Sequence, residues 1–240
     1  MPQFKLTSSV SHKGRVTSAT YEPACRLVGL FTASGESENT CEVALKLGRK
    51  AASLGETVLI LDAINGSLMS QAGIIHARTL TDVIEGTALP QDALYVTSNE
   101  HFTAASIGDG NIVAAIGLLA ALSLSYDWVF VIPAAGCETG HVHLGQASDM
   151  SIMSYDTQGD SFMRAYWMID AMRRRTPNYD PLILSTGEKG GAVETALMLS
   201  ETVKEYLGAP PHYSGHSDDL HIETRLLDSM RKHIDARATA

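Results

Sequence analysis

The chain has 240 residues, 45% of them hydrophobic, and a formal net charge of −9. Length and composition suffice for one substantial core. The acidic balance opposes the attraction to phosphates that carries most non-specific nucleic-acid affinity, so nucleic acid is not an expected partner.

Residues 1–25 are polar, lack the apolar run of a signal peptide and read as a flexible N-terminal arm. Residues 26–240 contain no Pro/Ser-rich break, charge block or repeat and read as a single domain. RLVGLFT (26–32) is β-leaning and apolar, Cys41 to Ser53 has helical spacing, and TVLILD (57–62) reads as a buried strand. A short helix is expected from Leu80 to Ile84 and a longer one from Ile112 to Leu122. WVFVI (128–132) is apolar throughout, as burial on both faces requires. Strand 150–155, helix 161–174, strand 182–185 and helix 193–207 continue the alternation. The pattern predicts an α/β domain with a mostly parallel central sheet and helices on both faces, so ligands are expected beyond the carboxyl ends of the strands. The longest apolar stretch, 111–132, is divided by Ser123, Ser125 and Asp127 and does not reach the roughly 18–20 residues of a spanning helix. Cys25, Cys41 and Cys137 show no C-x-x-C spacing and leave an odd thiol, which argues for the cytoplasm rather than a disulfide-stapled secreted domain.

The most informative loop is FTASGESENTCE (31–42). It has the strand–loop–helix frame of a phosphate loop, yet the lysine of a G-x-x-x-x-G-K-[ST] cradle is missing. Two readings stand side by side: the remains of a nucleotide site, or an ordinary β–α turn with Asn39 or Thr40 as N-cap and Glu42 in the first turn. Cys137, His141 and His143 invite a metal, but C-x-x-x-H-x-H matches no structural zinc spacing, and the segment reads as a surface loop. PHYSGHSDDLH (211–221), with His212, His216, Asp218, Asp219 and His221, reads as a polar loop before the last helix. Arg173, Arg174 and Arg175 suit the negative end of a helix. From Leu220 to Ile234, Leu226, Leu227, Met230 and Ile234 share one helical face. Without Phe or Trp, and diluted by Glu223, Asp228 and Asp235, this face fits docking on its own domain better than a membrane surface; a partner surface is the third reading.

Three segments resemble the MinD/ParA family of ATPases: PAAGCETG (133–140), TLTDVIEGTALPQDAL (79–94) and VKEYLGAPPHYSGHSDD (203–219), the last being similar also to the flagellar relative FlhG. The resemblance implies a P-loop NTPase-like fold over most of the chain beyond residue 26. It also implies a degenerate site. The phosphate-loop lysine falls on Thr40, the following Ser/Thr on Cys41, the signature lysine on Gly35, and the loop glycines on Glu36, Ser37 and Asn39. The switch aspartate falls on Ile64, the magnesium-supporting aspartate on Ile132, and the adenine-reading asparagine near Ser185. The implied protein is a pseudo-ATPase with neither ATP nor magnesium as cofactor, working as a protein-interaction or spatial-positioning module. The alternative is an atypical nucleotide-binding ATPase with an unorthodox loop. The implied partner is an active MinD/ParA protein or a component of flagellar or polar assembly. The implied state is a monomer or nucleotide-independent homodimer in the cytoplasm, with peripheral attachment at the membrane or cell pole as a further option.

Overall fold

The computed structural model describes residues 25–238 without 34, 36, 65, 76, 98–100 and 109–111. The predicted arm, apart from Cys25, therefore lies outside the described residues. Strand β1 is Arg26–Thr32, followed by helix α1 (Glu38–Ser53), β2 (Val58–Ala63), α2 (Ser67–Gln71), α3 (Leu80–Ile84), β3 (Tyr95–Val96), β4 (Thr103–Ser106) and α4 (Ile112–Leu122). The chain continues through β5 (Trp128–Pro133), α5 (Thr139–Ala147), β6 (Met150–Asp156), α6 (Ser161–Arg175), β7 (Leu182–Thr186), α7 (Ala192–Leu207), β8 (His212–His216) and α8 (Ile222–Ala238). The strands form one sheet in the order β3-β4-β2-β5-β1-β6-β7-β8, parallel except for the β3–β4 pair.

Two apolar layers explain why the middle strands carry almost no polar residues. On one face, Val28, Leu30, Ile60, Phe130, Ile132 and Ile152 meet Val43, Leu47 and Ala51 of α1 and Leu226 and Met230 of α8. On the other, Phe31, Leu61, Val131, Met153 and Ile183 meet α4, α5, α6 and α7 through residues such as Leu119, Leu144, Ile169 and Leu199. Alternate residues of one strand thus enter different cores, which is why both sets must be apolar. Helix α1 reaches the sheet closely through Gly48, where an added Cβ would lie 2.6 Å from Ile60 Cδ1.

The strong apolar runs and long helices fall where the sequence puts them. Several short elements differ. Strand β4, TAAS, is built of small residues and is buried, whereas its sequence has no β-branched or aromatic run to announce it. Helix α2 is a five-residue turn whose N-cap, Gly66, has φ of 84°. The segment 137–143, read as a surface loop, runs into α5 (Thr139–Ala147), and 212–216, within the polar loop read at 211–221, form β8 alongside β7.

The face of α8 is a core face. Leu226 and Met230 are 0% exposed, Leu227 1% and Ile234 7%, so the reading of these four residues as a partner or membrane surface gives way to docking on the domain itself. The physical reason is coverage: α1 spans β1, β2 and β5, and a second helix is needed over β6 and β8. The basic residues of α8 turn outward into pairs, Arg231 Nη2 lying 2.6 Å from Glu56 Oε2 and Arg225 Nη2 2.8 Å from Asp219 Oδ2. Leu226→Ala is expected to cost about 2–5 kcal/mol, read as a lowered urea midpoint. Changing Leu226, Leu227 and Met230 together to Ser is expected to abolish cooperative unfolding, and a variant that still melts cooperatively would contradict this packing.

Candidate functional site

Neighbouring strands β1 and β5 send their chains to opposite faces, β1 into α1 and β5 into α5. Such a divergence opens a crevice at the carboxyl ends of the strands, and the loop 33–37 lies there. Helix α1 begins at Glu38 with Ser37 as N-cap, and Ser37 makes no side-chain cap bond. Neither Asn39 nor Thr40 is the cap; both belong to the first turn.

Thr40 points into the protein. Thr32 Oγ1 donates to Thr40 Oγ1 at 2.8 Å, Thr40 Oγ1 meets Ser154 Oγ, and Ser154 Oγ donates to the Phe31 carbonyl at 3.1 Å. Because the Ser154 proton goes to Phe31, Thr40 is the donor to Ser154, and each hydroxyl in the relay passes its proton onward. All three side chains are at most 2% exposed. The relay ties the start of α1 to the ends of β1 and β6. Cys41, next in the helix, is fully buried, and burial pushes its thiol up to about 12, with Asp62 adding to the shift; it is an unreactive thiol at neutral pH.

The remaining sequence-predicted positions are distributed around the crevice. Gly35 is exposed, and the nearest group to the site of an added Cβ is Arg164 Nη1 at 3.9 Å. Glu36 lies outside the described residues. Ile64 is half-buried against the α1 core, and Ile132 is 0% exposed inside it. Ser185 is also buried; Tyr213 Oη lies 2.9 Å from its Oγ, which donates to the Gly215 carbonyl at 3.3 Å. Thr40, Cys41, Ile132 and Ser185 are thus inward-facing, while Gly35 faces solvent.

Asp62 is the buried carboxylate that the sequence reading passed over. Its Oδ1 accepts from Ile64 N at 2.7 Å and its Oδ2 from Met69 N at 3.0 Å, fixing the turn into α2. The signal was an acid ending the apolar run VLILD, which reads as a capping or catalytic group equally well. His141, a metal candidate by sequence, has both ring nitrogens engaged within the chain: Nδ1 accepts from Glu138 N at 3.1 Å and Nε2 lies 2.7 Å from the Ala134 carbonyl. That arrangement holds the PAAGCETG loop to α5. Among the described residues, no group of three or more His, Cys, Asp or Glu is arranged to hold a metal ion.

At the β8 end, Asp219 gathers Lys189 Nζ at 2.7 Å, Arg225 Nη2 at 2.8 Å and His216 N at 3.0 Å. The residues read as a loose polar loop are therefore a network that clamps β8 to the loop after β7.

Comparison with solved structures follows the same geometry. The chain is similar to the MinC:MinD cell division protein complex of Aquifex aeolicus, at 20% identity over 87% of this chain and 86% of that one, TM-score 0.63. It is similar to a ParA family ATPase from Chlorobium tepidum TLS, at 16% identity over 88% of each chain, TM-score 0.64. It is also similar to a cobyrinic acid a,c-diamide synthase from Mycobacterium smegmatis with bound ADP and magnesium, at 17% identity over 89% and 94%, TM-score 0.60. The chain has the MinD/ParA fold. No protein-family model matches it, and no curated protein matches it in sequence. Within that fold the loop 33–37 is the turn between first strand and first helix.

Two outcomes test this geometry. Thr40→Val, which removes one member of the relay, strands the Thr32 hydroxyl and takes from Ser154 its donor, is expected to cost about 1–3 kcal/mol in denaturant unfolding. The Asp219 carboxyl is held well below its usual 3.8, first by Lys189 and then by the His216 amide and Arg225. Its folded value being the lower one, its stabilising contribution is present above 3.8 and is lost as pH falls. Asp219→Asn should therefore lower the melting temperature at neutral pH and converge with the parent in acid; an equal gap at both pH values would refute the assignment.

Proposed function

We propose that this chain is a catalytically inactive MinD/ParA-like pseudo-ATPase that acts as a protein-interaction or spatial-positioning module. The observation that carries the reading is the relay of Thr32, Thr40 and Ser154. The residue in the lysine's place is consumed inside the protein rather than turned to a ligand. Ile132, in the place of the magnesium-supporting aspartate, is core. A phosphoryl-transfer site works by positioning and charge stabilisation, and these positions supply neither a cation nor a metal ligand. ATP and magnesium are accordingly not its cofactors in this reading.

A surface role draws support from the asymmetry of the two helical layers. Trp167 on α6 and Val193, Leu197, Met198 and Tyr206 on α7 are each more than half exposed. Among the described residues, α1 and α8 expose no large hydrophobic side chain. Apolar groups gathered on one layer are the mark of an interaction surface, so the outer face of α6 and α7, rather than α8, is the one we assign to a partner. A MinC:MinD complex among the fold's neighbours makes a protein partner reasonable. An active MinD/ParA protein or a flagellar or polar assembly component is the class we favour, in the cytoplasm or peripherally at the membrane or pole.

One observation favours a second reading, an atypical nucleotide-binding ATPase. The Arg164 guanidinium lies beside the exposed Gly35, and although it pairs with Asp160 at 3.0 Å, it is a cation at the mouth of the crevice.

Purified protein is expected to show no magnesium-dependent ATP hydrolysis above a matched blank, and Thr40→Lys is expected not to restore it, since the magnesium-supporting position stays aliphatic. Sedimentation should give the same mass with and without ATP. A monomer that dimerises only on adding ATP, or turnover lost in Arg164→Ala, would establish the second reading instead. Trp167→Glu and Leu197→Glu should abolish association with the native partner in a pull-down while changing stability by no more than about 0.5 kcal/mol, as for other surface changes.

A further inference from the structure

At the amino end of the sheet, opposite the crevice, lies a cavity of about 290 Å³ lined by Gly145, Gln146, Ser148, Met150, Ser151, Thr176, Asn178, Tyr179 and Asp180. Its walls are the last turn of α5, the first residues of β6 and the segment between α6 and β7. From this cavity we infer a binding site for a small polar molecule bearing a primary ammonium group, held by Asp180 and Tyr179.

The argument begins with two polar atoms that the fold buries without using. Tyr179 is 5% exposed, and its hydroxyl has no hydrogen-bond partner within the protein. The Ser151 side chain is close enough to act on the phenol but makes no hydrogen bond of normal geometry to it. Asp180 Oδ1 is likewise buried without a donor. Native proteins rarely leave such atoms unmatched, because each costs desolvation that nothing returns. Both residues line the cavity, and between them they offer a carboxylate oxygen that needs a donor and a hydroxyl that can donate or accept.

The charge around the cavity selects the ligand. Asp180 is its one ionised lining residue, and the carboxyl ends of α5 and α6 both reach it, bringing the negative ends of two helices together. None of the nearby cations donates to Asp180 Oδ1. Arg173 spends its guanidinium on the Tyr179 and Leu207 carbonyls, at 3.0 and 3.2 Å, and His233 Nε2 stands 3.8 Å from the other Asp180 oxygen. Asp149, between two lining residues, is turned to the Leu27 amide at 2.8 Å. An anion would meet a carboxylate and two helix carboxyl ends, whereas an ammonium would meet acceptors. The volume, at the low end of the roughly 300–1,000 Å³ range of ligand pockets, suits a small metabolite. Gly145 lets α5 pack closely on the cavity's neighbours, since a Cβ there would lie 3.0 Å from Met172 Sδ and 3.5 Å from Tyr179 Cε2. The site shares no residue with the nucleotide-loop positions and does not depend on whether they are active.

The test is a titration of the full chain by ¹H–¹⁵N NMR with methylammonium, ethanolammonium and 1,4-diammoniobutane, beside ethylene glycol and glycolate as neutral and anionic counterparts. At least one amine should give saturable shifts at the Gly145, Ser151 and Asp180 amides, with glycol at least tenfold weaker and glycolate without effect. Asp180→Asn should weaken the amine at least tenfold. Tyr179→Phe, which keeps the ring, should melt no lower than the parent yet bind the amine more weakly. Shifts that stay linear for all three amines, equal response to glycolate, or unchanged binding by Asp180→Asn would each overturn the site. A fall in the melting temperature of Tyr179→Phe would mean that the hydroxyl is structural, and would overturn it too.

Discussion

A parallel sheet covered by helices on both faces has no wet side, and this constraint governs where anything polar can sit. Along β1, β2, β5 and β6 nearly every side chain enters one of two apolar layers, and each carries roughly the 1.5–3 kcal/mol of a buried aliphatic or aromatic group. Polar chemistry is left to the strand ends. The two buried carboxyl-end devices, the Thr32–Thr40–Ser154 relay and the doubly capped Asp62, and the amino-end cavity with Tyr179 and Asp180 are the consequence. The same division explains how the fold can persist when its ligand chemistry is lost: the layers do not depend on what the loops hold.

The relay shows how the start of α1 is held without a ligand. A lysine in the first turn of α1 needs an anion beside it, or its ammonium is buried unpaired at a cost of several kcal/mol. A threonine needs only neighbouring hydroxyls. With Thr32 and Ser154 at the ends of the two strands flanking the turn, Thr40 is satisfied internally and the helix start is pinned without any ligand. Cys41, packed behind it and driven to about 12 by burial, fits a turn that is core rather than cradle. The charge of Arg164 beside Gly35 is the counterweight, since a cation at the crevice mouth is free of this argument.

Most of the fold was legible because burial on both faces writes itself as unbroken apolar strands: RLVGLFT, VLILD and WVFVI have no other comfortable home. What was not legible is what lacks that pattern. TAAS is a strand by virtue of its neighbours β2 and β3, not of its own residues. HYSGH is polar because β8 is an edge strand, and the extra residue Ser214, opposite the Ile183–Leu184 step of β7, breaks the alternation further. The mixed run TGHVHLGQA hides α5, whose N-terminus is closed by the Glu138–His141 pair rather than by a Ser or Asp. At the site, the positions were legible only as missing residues. The hydroxyl relay could be found only by knowing that Ser154, more than a hundred residues away, stands beside Thr40. The cavity was invisible for the same reason, because Gly145, Ser151 and Asp180 become neighbours only through the β6 crossover.

The two amphipathic helical surfaces at the end of the chain invert what periodicity alone suggests. Helix α8 has the tidy apolar stripe of a membrane or partner helix and spends it on α1 and the sheet, because an eight-stranded sheet leaves β6 to β8 uncovered unless a last helix returns over them. Helix α7 buries Ala196, Leu199 and Val203 as its core stripe and still carries Val193, Leu197, Met198 and Tyr206 outside it. A helix needs only about three apolar positions in seven to dock. The surplus on α7, and not the stripe on α8, is therefore the feature that packing leaves unexplained, and unexplained apolar surface is where a partner has to be sought.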